Sequence, residues 1–319
     1  MSYAIGIDLG GTRIKYGLVD ENGGVVVASA RPTGSERDGQ PSKVMENLYA
    51  AVEEMLTAAR TRGLEVKGVG IGAPGIIDGD RVIACGGNLP EMDGVALGPR
   101  MAEAAGVRVV MNNDANCMGL AEARWGTAQE VTDVVFLTIG TGVGGALILD
   151  GKLYGGYRNR GTEMGHIHVA SGERPCTCGA RGCLEAQASM LALIEDYRAL
   201  KAGTNMGTEG GQPEGVVVDG KEIVRRYLAG EVAARNAMDL HFDYLASGVA
   251  SLINVFAPQK LIIGGGISES GDFYIAEIRR RAMGLAMRET SEYTMIEAAR
   301  LGNNAGFLGA AALVFHTKA

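Results

Sequence analysis

The period of the apolar positions changes several times along the chain. Ala4–Asp8 is a short apolar run, Arg13–Val19 alternates, and Val25–Ala30 follows the turn Asp20-Glu21-Asn22-Gly23-Gly24. Three strands in succession predict an antiparallel meander. Residues 31–41, with Pro32, Gly34, Gly39 and Pro41, read as a loop. Val44, Leu48, Ala51, Val52, Met55, Leu56 and Ala59 then recur at helical spacing and predict an amphipathic helix ending near Gly63. Val66–Gly72 reads as a buried strand running into Ala73-Pro74-Gly75, and Ile76–Ile83 as a small hairpin around Asp78-Gly79-Asp80. Gly86–Pro90 is a loop. Val107–Met111 is a further strand that empties into Asn112-Asn113-Asp114-Ala115-Asn116, and Ala115–Arg124 reads as a helix.

Val134–Ile139 opens the second half as a strongly apolar strand, followed by Gly140-Thr141-Gly142-Val143-Gly144-Gly145 and then Ala146–Leu149. The layout repeats that of Asp8-Leu9-Gly10-Gly11-Thr12: strand, glycine-threonine turn, strand. Glycines let backbone N–H groups approach an anion closely. Two such turns, each opening one half of the chain, predict a duplicated scaffold that clasps a polyphosphate. Helical spacing returns over Ala186–Leu200, Lys221–Gly230 and Glu231–Phe256, and Gly203–Gly220 reads as a glycine-rich surface loop. Lys260–Ile263 is a strand that leads through Gly264-Gly265-Gly266-Ile267-Ser268 to a helix over Phe273–Met287. Gly302-Asn303-Asn304-Ala305-Gly306 precedes an apolar C-terminal helix through Phe315.

Length and charge narrow this picture. The chain has 319 residues, 46% of them hydrophobic, enough for a large core and for two domains. A net charge of −7 gives no electrostatic footprint for nucleic acid. The start M-S-Y-A-I-G-I-D lacks the pattern of a signal peptide, and the longest uncharged runs fall short of a membrane span. The expected location is cytoplasmic, with neither membrane nor nucleic-acid partners. Of the five cysteines, Cys85 and Cys117 stand alone and read as small apolar fillers. The other three cluster with a histidine.

That cluster is the strongest chemical feature. The stretch Glu163–Glu185 holds His166, Cys176, Cys178 and Cys183 between two carboxylates. Thiolates and an imidazole at short loop spacing suit a tetrahedral Zn²⁺, and four protein ligands would make the metal structural. Its role would be to pin a glycine-rich loop and position Glu163 and Glu185. Elsewhere, Asp8 at a strand end before a glycine turn could hold Mg²⁺ or a metal-bound water. Asn88 carries a donor and an acceptor suited to a sugar hydroxyl. Asp114, at a strand-to-helix junction, could cap the helix or act as a general base. The residues alone leave both open.

Taken together, D-L-G-G-T at 8–12 with Lys15, G-A-P-G at 72–75, N-D-A-N at 113–116, G-T-G-V-G-G at 140–145, E-x-G-H at 163–166, C-x-C-G-x-x-G-C-L-E at 176–185 and G-G-G-I at 264–267 resemble the ROK family of sugar kinases. The resemblance covers nearly the whole chain. It implies an α/β fold of two actin-like or hexokinase-like (ribonuclease H-like) domains with an ATP and sugar cleft between them, residues 1–115 plus 303–319 forming the smaller and 116–302 the larger. It implies ATP with Mg²⁺ held by Asp8, Gly10, Gly11, Thr12, Lys15, Gly140, Thr141, Gly142 and Gly144, with Gly265 and Gly266 at the adenosine. Asp114 would be the catalytic base, and Asn88, Asn113, Asp114, Glu163, His166 and Glu185 would contact the sugar. His166, Cys176, Cys178 and Cys183 would hold structural Zn²⁺. The implied activity is phosphorylation of a hexose at its 6-hydroxyl, with glucose the first choice and N-acetylmannosamine or N-acetylglucosamine the alternatives. A homodimer or homotetramer is implied.

Two further readings compete with it. A ROK-like repressor would carry an N-terminal helix-turn-helix, whereas the first strand is expected here from about residue 4. A zinc-structured sugar binder without activity would have no need of the Asp8 and 140–145 motifs. The sequence also departs from the family's common G-N-D-A-G by placing Asn304 where an acidic residue is usual.

Overall fold

The computed structural model describes residues 1–36, 42–85, 87, 89–171, 174–203 and 218–316. The first part of the chain forms β1 (Tyr3–Leu9), β2 (Arg13–Asp20), β3 (Val25–Pro32), α1 (Val44–Thr61), β4 (Val66–Ala73), β5 (Ile76–Asp78), β6 (Arg81–Ala84), α2 (Leu97–Ala105), β7 (Val109–Asn113) and α3 (Asp114–Trp125). There follow β8 (Val134–Ile139), β9 (Val143–Leu149), β10 (Lys152–Tyr154), α4 (Leu184–Ala188), α5 (Met190–Ala202), α6 (Gly220–Leu228) and α7 (Val232–Phe256). The chain closes with β11 (Lys260–Gly264), α8 (Asp272–Leu285), α9 (Arg288–Ser291), β12 (Met295–Ala298) and α10 (Ala305–His316). Contacts divide it into two units, Met1–Thr132 with Ala146–Thr162 and Leu301–Ala319, and Asp133–Gly145 with Glu163–Arg300.

Each half of the chain contributes a five-stranded sheet with the same plan, β3-β2-β1-β4-β7 and β10-β9-β8-β11-β12. In the first, β1 pairs antiparallel with β2 and parallel with β4, which pairs parallel with β7. In the second, β11 runs parallel to both β8 and β12, and β9 pairs antiparallel with β10. The repeated strand order is the duplication that the two glycine-threonine turns pointed to.

The first sheet is covered on both faces. On one, Ile5, Ile7 and Leu9 pack with Leu48, Val52 and Met55 of α1 and with Leu97 and Met101 of α2. On the other, Ala4 and Val19 join Cys117, Leu120 and Trp125 of α3 and Phe307, Ala310, Ala311 and Val314 of α10. The alternation in A-I-G-I-D thus sorts large residues toward α1 and small ones toward α10. A Cβ at Gly6 would collide with the Phe307 carbonyl, and one at Gly70 with the Ala310 carbonyl. The bare strand backbone lets α10 lie directly on the sheet, which is why that helix is apolar around its circumference. Because α3 packs against α10, it belongs with the first unit. The sequence-based division at 115/116 falls inside α3, two residues after its start.

The second unit is built around α7, which contacts α4, α5, α6 and α8. Leu245, Val249 and Ile253 of this helix are buried, as are Val134–Leu137 of β8 and Leu261–Ile263 of β11. Among the described residues no helix is long and apolar enough to cross a membrane. The predicted helix over 186–200 is two helices, α4 and α5, broken at Ser189, whose hydroxyl accepts from Ala192 N at 3.2 Å. Most of the glycine-rich 203–220 segment lies outside the described residues.

Candidate functional site

In the first unit the carboxyl ends of the parallel strands carry the polar residues, where open α/β sheets place ligands. Register puts Asp8 beside Gly72, and Gly72 beside Asn112. The turn after β1 is tight: Gly10 N donates to Arg13 O at 3.1 Å, and buried Thr33 braces it by donating its hydroxyl to Gly10 O at 2.6 Å. Gly11 and Thr12 lie at its tip. Lys15 Nζ reaches the backbone and side-chain oxygens of Asn303 at 3.5 and 3.4 Å. A Cβ at Gly306 would meet the Asp8 carboxylate at 2.5 Å, so glycine there lets α10 start against it.

Burial pushes the Asp8 carboxyl up to about 6, against the opposing pull of Lys15. An acid with a raised folded-state pKa contributes stability that is complete below its ordinary value of 3.8 and lost as pH rises through about 6. Asp8→Asn should therefore melt higher than wild type at pH 8, by on the order of 2–3 kcal/mol, and match it near pH 4. Thermal unfolding across that range is the check, and a gap independent of pH would contradict it.

At the junction of β7 and α3 the helix cap is not Asp114. The cap is Asn113, whose Oδ1 accepts from Asn116 N at 3.1 Å while its Nδ2 donates to Gly75 O at 3.0 Å. Asp114 is the first helical residue, its Oδ1 accepting from Ala115 N at 2.8 Å. Asn112 anchors the junction from behind. Its Oδ1 accepts from Asn113 N at 2.8 Å and from the amides of Asn116 and Asn159 at 3.0 Å each. Asn159 also donates to Ile77 O at 2.9 Å, and Thr162 donates to Asn116 Oδ1 at 3.3 Å. Arg158, Asn159 and Thr162 are left-handed, with φ of 53°, 56° and 67°. Asparagine tolerates that conformation, whereas a β-branched threonine is strained by it. The Cys117 thiol lies close enough to Asp114 and Asp8 that their charges add to burial in raising its pKa. Burial, with Asp93, Asp114 and Glu91, pushes Cys85 up to about 12. Both cysteines are buried protonated fillers, as their isolation in sequence suggested.

In the second unit the ligand atoms of His166, Cys176, Cys178 and Cys183 all lie within 4.8 Å of one another. Cys178 Sγ and Cys183 Sγ are 3.7 Å apart, and Cys176 Sγ and His166 Nδ1 are 3.5 Å apart. A tetrahedral ion with Zn–S of about 2.3 Å and Zn–N of about 2.0–2.1 Å would separate two sulfurs by about 3.8 Å and sulfur from nitrogen by about 3.5 Å. The donor set and its spacing fit zinc. Cys183 is the cap residue just before α4, which carries Glu185 in its first turn. A buried Arg174–Asp196 ion pair, with Arg174 also donating to Ala186 O at 3.0 Å, ties the loop to α4 and α5. Burial raises the Glu163 carboxyl, His166 lowers it and Glu185 raises it further, so these three predicted sugar contacts share one neighbourhood.

Also in this unit is a cavity of about 240 Å³ lined by residues that include Gly140, Thr141, Met190, Leu191, Gly266 and Ile267. Gly265 has φ +94°, and a Cβ there would collide with the Ile139 carbonyl. Glycine is thus required where the loop after β11 crosses the end of β8. The glycine loop and the glycine turn meet at one pocket.

Residues 4–317 match the model of the ROK family. The chain belongs to the ROK family. It is similar to a glucokinase of Thermotoga maritima, 34% identical over 315 residues, covering 97% of this chain and 96% of that protein. It is also similar to an N-acetyl-D-glucosamine kinase of Pectobacterium carotovorum subsp. carotovorum, 29% identical over 319 residues, with 97% of each covered. Among solved structures it resembles a ROK family glucokinase of Streptomyces griseus in complex with glucose and AMPPNP. That match has 30% identity, a TM-score of 0.81, and coverage of 99% of this chain and 100% of the other. The fold is the actin-like α/β fold of ROK hexokinases.

The ROK motifs sort by unit. Asp8, Gly10, Gly11, Thr12, Lys15, Asn113 and Asp114 fall in the first, and Gly140, Thr141, Gly142, Gly144, Glu163, His166, Glu185, Gly265, Gly266 and the three cysteines in the second. Asn88 lies outside the described residues. Asn159, Thr162 and Thr33 escaped the sequence reading, which named Asn112 and Asn116 without giving them a role. Asn112 and Asn116 flank the N-D motif, which was the one available signal.

Proposed function

We propose that this ROK protein is an ATP-dependent hexokinase that transfers the γ-phosphoryl group of ATP to the 6-hydroxyl of a hexose, with glucose as the preferred acceptor. The observation that carries the reading is the cap on α3. Asn113 takes the capping role, and Asp114 follows it as the first residue of α3, two residues after Asn112, which lies in register with Gly72 and, through it, with Asp8. One Asp114 oxygen is held by Ala115 N, which orients the carboxylate. The attacking 6-hydroxyl gives its proton to Asp114 as the O–P bond forms, a step to which a positioned base contributes typically about 10²–10⁴-fold. The rest of the acceleration comes from in-line positioning and from donors on the transferred phosphoryl group. The backbone N–H groups of the two glycine turns supply such donors. Mg²⁺, held near Asp8, would neutralise phosphate charge.

Glu163, His166 and Glu185 supply the sugar-facing side chains of the second unit. Zn²⁺ on His166, Cys176, Cys178 and Cys183 would hold their loop in shape without taking part in the chemistry. His166 Nδ1 is the nitrogen facing the cysteines, which leaves Nε2 for a sugar hydroxyl. Support also comes from the S. griseus relative, which was solved with glucose and an ATP analogue and matches over the full length. The test is ADP release measured over glucose, N-acetylglucosamine, N-acetylmannosamine, fructose and allose. Glucose should give the highest kcat/KM. An N-acetylhexosamine ahead of glucose would reassign the acceptor, and no turnover with any sugar would remove the kinase reading.

A further inference from the structure

The glycines of the second turn are only partly available to a ligand. A Cβ at Gly142 would collide with Glu185 Oε2, and one at Gly165 with the Val143 carbonyl. At Gly145 it would stand 2.8 Å from the Met164 side chain, whereas Gly140 has nothing within 4 Å. The cysteine–histidine loop is therefore laid against the turn: Gly165 is required by the Val143 carbonyl, and a side chain at Gly142 or Gly145 would displace Glu185 or Met164, whether or not phosphate binds there.

One side chain makes the polar part of this contact. Glu185 Oε2 accepts from Val143 N at 3.0 Å, and Glu185 Oε1 accepts from the Thr177 hydroxyl at 3.1 Å. Val143 is the first residue of β9 and belongs to the turn. Thr177 stands between Cys176 and Cys178. A carboxylate held at both oxygens by donors on different segments makes two charge-assisted bonds and has little freedom to rotate. We propose that Thr177 is a positioning residue: through the Glu185 carboxylate it clamps the 140–145 turn in its nucleotide-binding shape, so that the cysteine–histidine loop sets nucleotide affinity as well as the sugar-facing wall.

This inference rests on the hexokinase reading, in which the turn takes phosphate and Glu185 faces sugar. Thr177 offers the shorter of two contacts to Oε1, at 3.1 Å; the Cys176 Sγ is 3.9 Å away and, as a zinc-bound thiolate, would not donate. Without Thr177 the carboxylate turns toward solvent on that side, and the Val143 N–H loses its aligned acceptor. A sugar hydroxyl on Glu185 would add a further donor to the same carboxylate, so sugar and nucleotide would each tighten the other's binding through it.

The test uses the full-length, zinc-replete protein and the variants Thr177→Val and Thr177→Ser, and leaves Glu185 itself intact. Three quantities are measured: zinc content, hydrogen exchange at the Val143 amide, and binding of Mg²⁺–AMPPNP without sugar. Thr177→Val should keep its zinc, exchange faster at Val143 and bind AMPPNP about threefold more weakly, because the Thr177–Glu185 bond is exposed and water partly replaces it. Thr177→Ser should restore wild-type values. Wild-type exchange and affinity in Thr177→Val would overturn the proposal. So would loss of zinc in that variant, or failure of serine to rescue. If the wild-type protein itself binds no AMPPNP, the kinase reading falls, while exchange at Val143 still decides whether Thr177 holds the turn.

Discussion

Asp114→Asn should bind hexose with near wild-type affinity and lose about 10²–10⁴-fold in kcat. The substitution keeps size and shape, and its side-chain oxygen can still accept from Ala115 N, as Asp114 Oδ1 does at 2.8 Å. The cap of α3 is untouched, because it belongs to Asn113. The polar network on Asn112 also survives, since its three donors come from Asn113, Asn116 and Asn159. What the variant lacks is a group that takes up the hydroxyl proton. Steady-state kinetics with a calorimetric measurement of sugar binding separates the two effects. Turnover within a few-fold of wild type would remove Asp114 as the base. Loss of sugar affinity with kcat kept would make it a binding residue instead.

This separation of roles was not legible in the sequence, where Asp114 could equally have capped the helix. Capping depends on backbone angles at one residue, and the pattern N-N-D-A-N offers three side chains able to do it. The periodic elements were legible. The alternating Arg13–Val19 and the helical spacing from Val44 to Ala59 became β2 and α1, and Ile76–Ile83 became the β5–β6 hairpin. Elements with weak or short patterns were lost. Helix α2 begins Leu97-Gly98-Pro99, which reads as a breaker, although proline is tolerated in a first turn. Strands β10 and β12 are edge strands of three and four residues, too short for alternation to register.

Non-local packing was the other blind spot. Gly142 read as a phosphate donor, yet in the structure it also makes room for the Glu185 carboxylate, as Gly145 does for the Met164 side chain. Asn159 pairs with Asn112 across 47 residues, and nothing in the local sequence of either announces the partner. The metal ligands were visible because their spacing is local. Their support, Arg174 on Asp196, spans 22 residues and was not.

Metal analysis should find about one zinc per chain, and Cys183→Ser should lose it together with most sugar affinity. Cys183 is fully buried, contributes one of the four ligand atoms and immediately precedes α4, the helix that carries Glu185. His166 is itself both a ligand and a proposed sugar contact. Removing the ion leaves thiols and an imidazole facing one another with no shared partner, and the 163–185 loop then relies on the Arg174–Asp196 pair and the bridges His168↔Cys183 and Pro175↔Arg181. The core of the first sheet should stay folded, because its buried strands and helices include no residue of this loop. The expected phenotype is therefore local. Proteolysis should become faster within 163–185, sugar affinity should fall by about 10²-fold, as when hydrogen-bonded charged contacts are lost, and the main thermal transition should persist. Chelation of the wild-type protein should reproduce the change, and added Zn²⁺ should reverse it. A zinc-free protein with full sugar affinity and an intact loop would separate the cysteine cluster from the sugar wall and end the structural-metal reading.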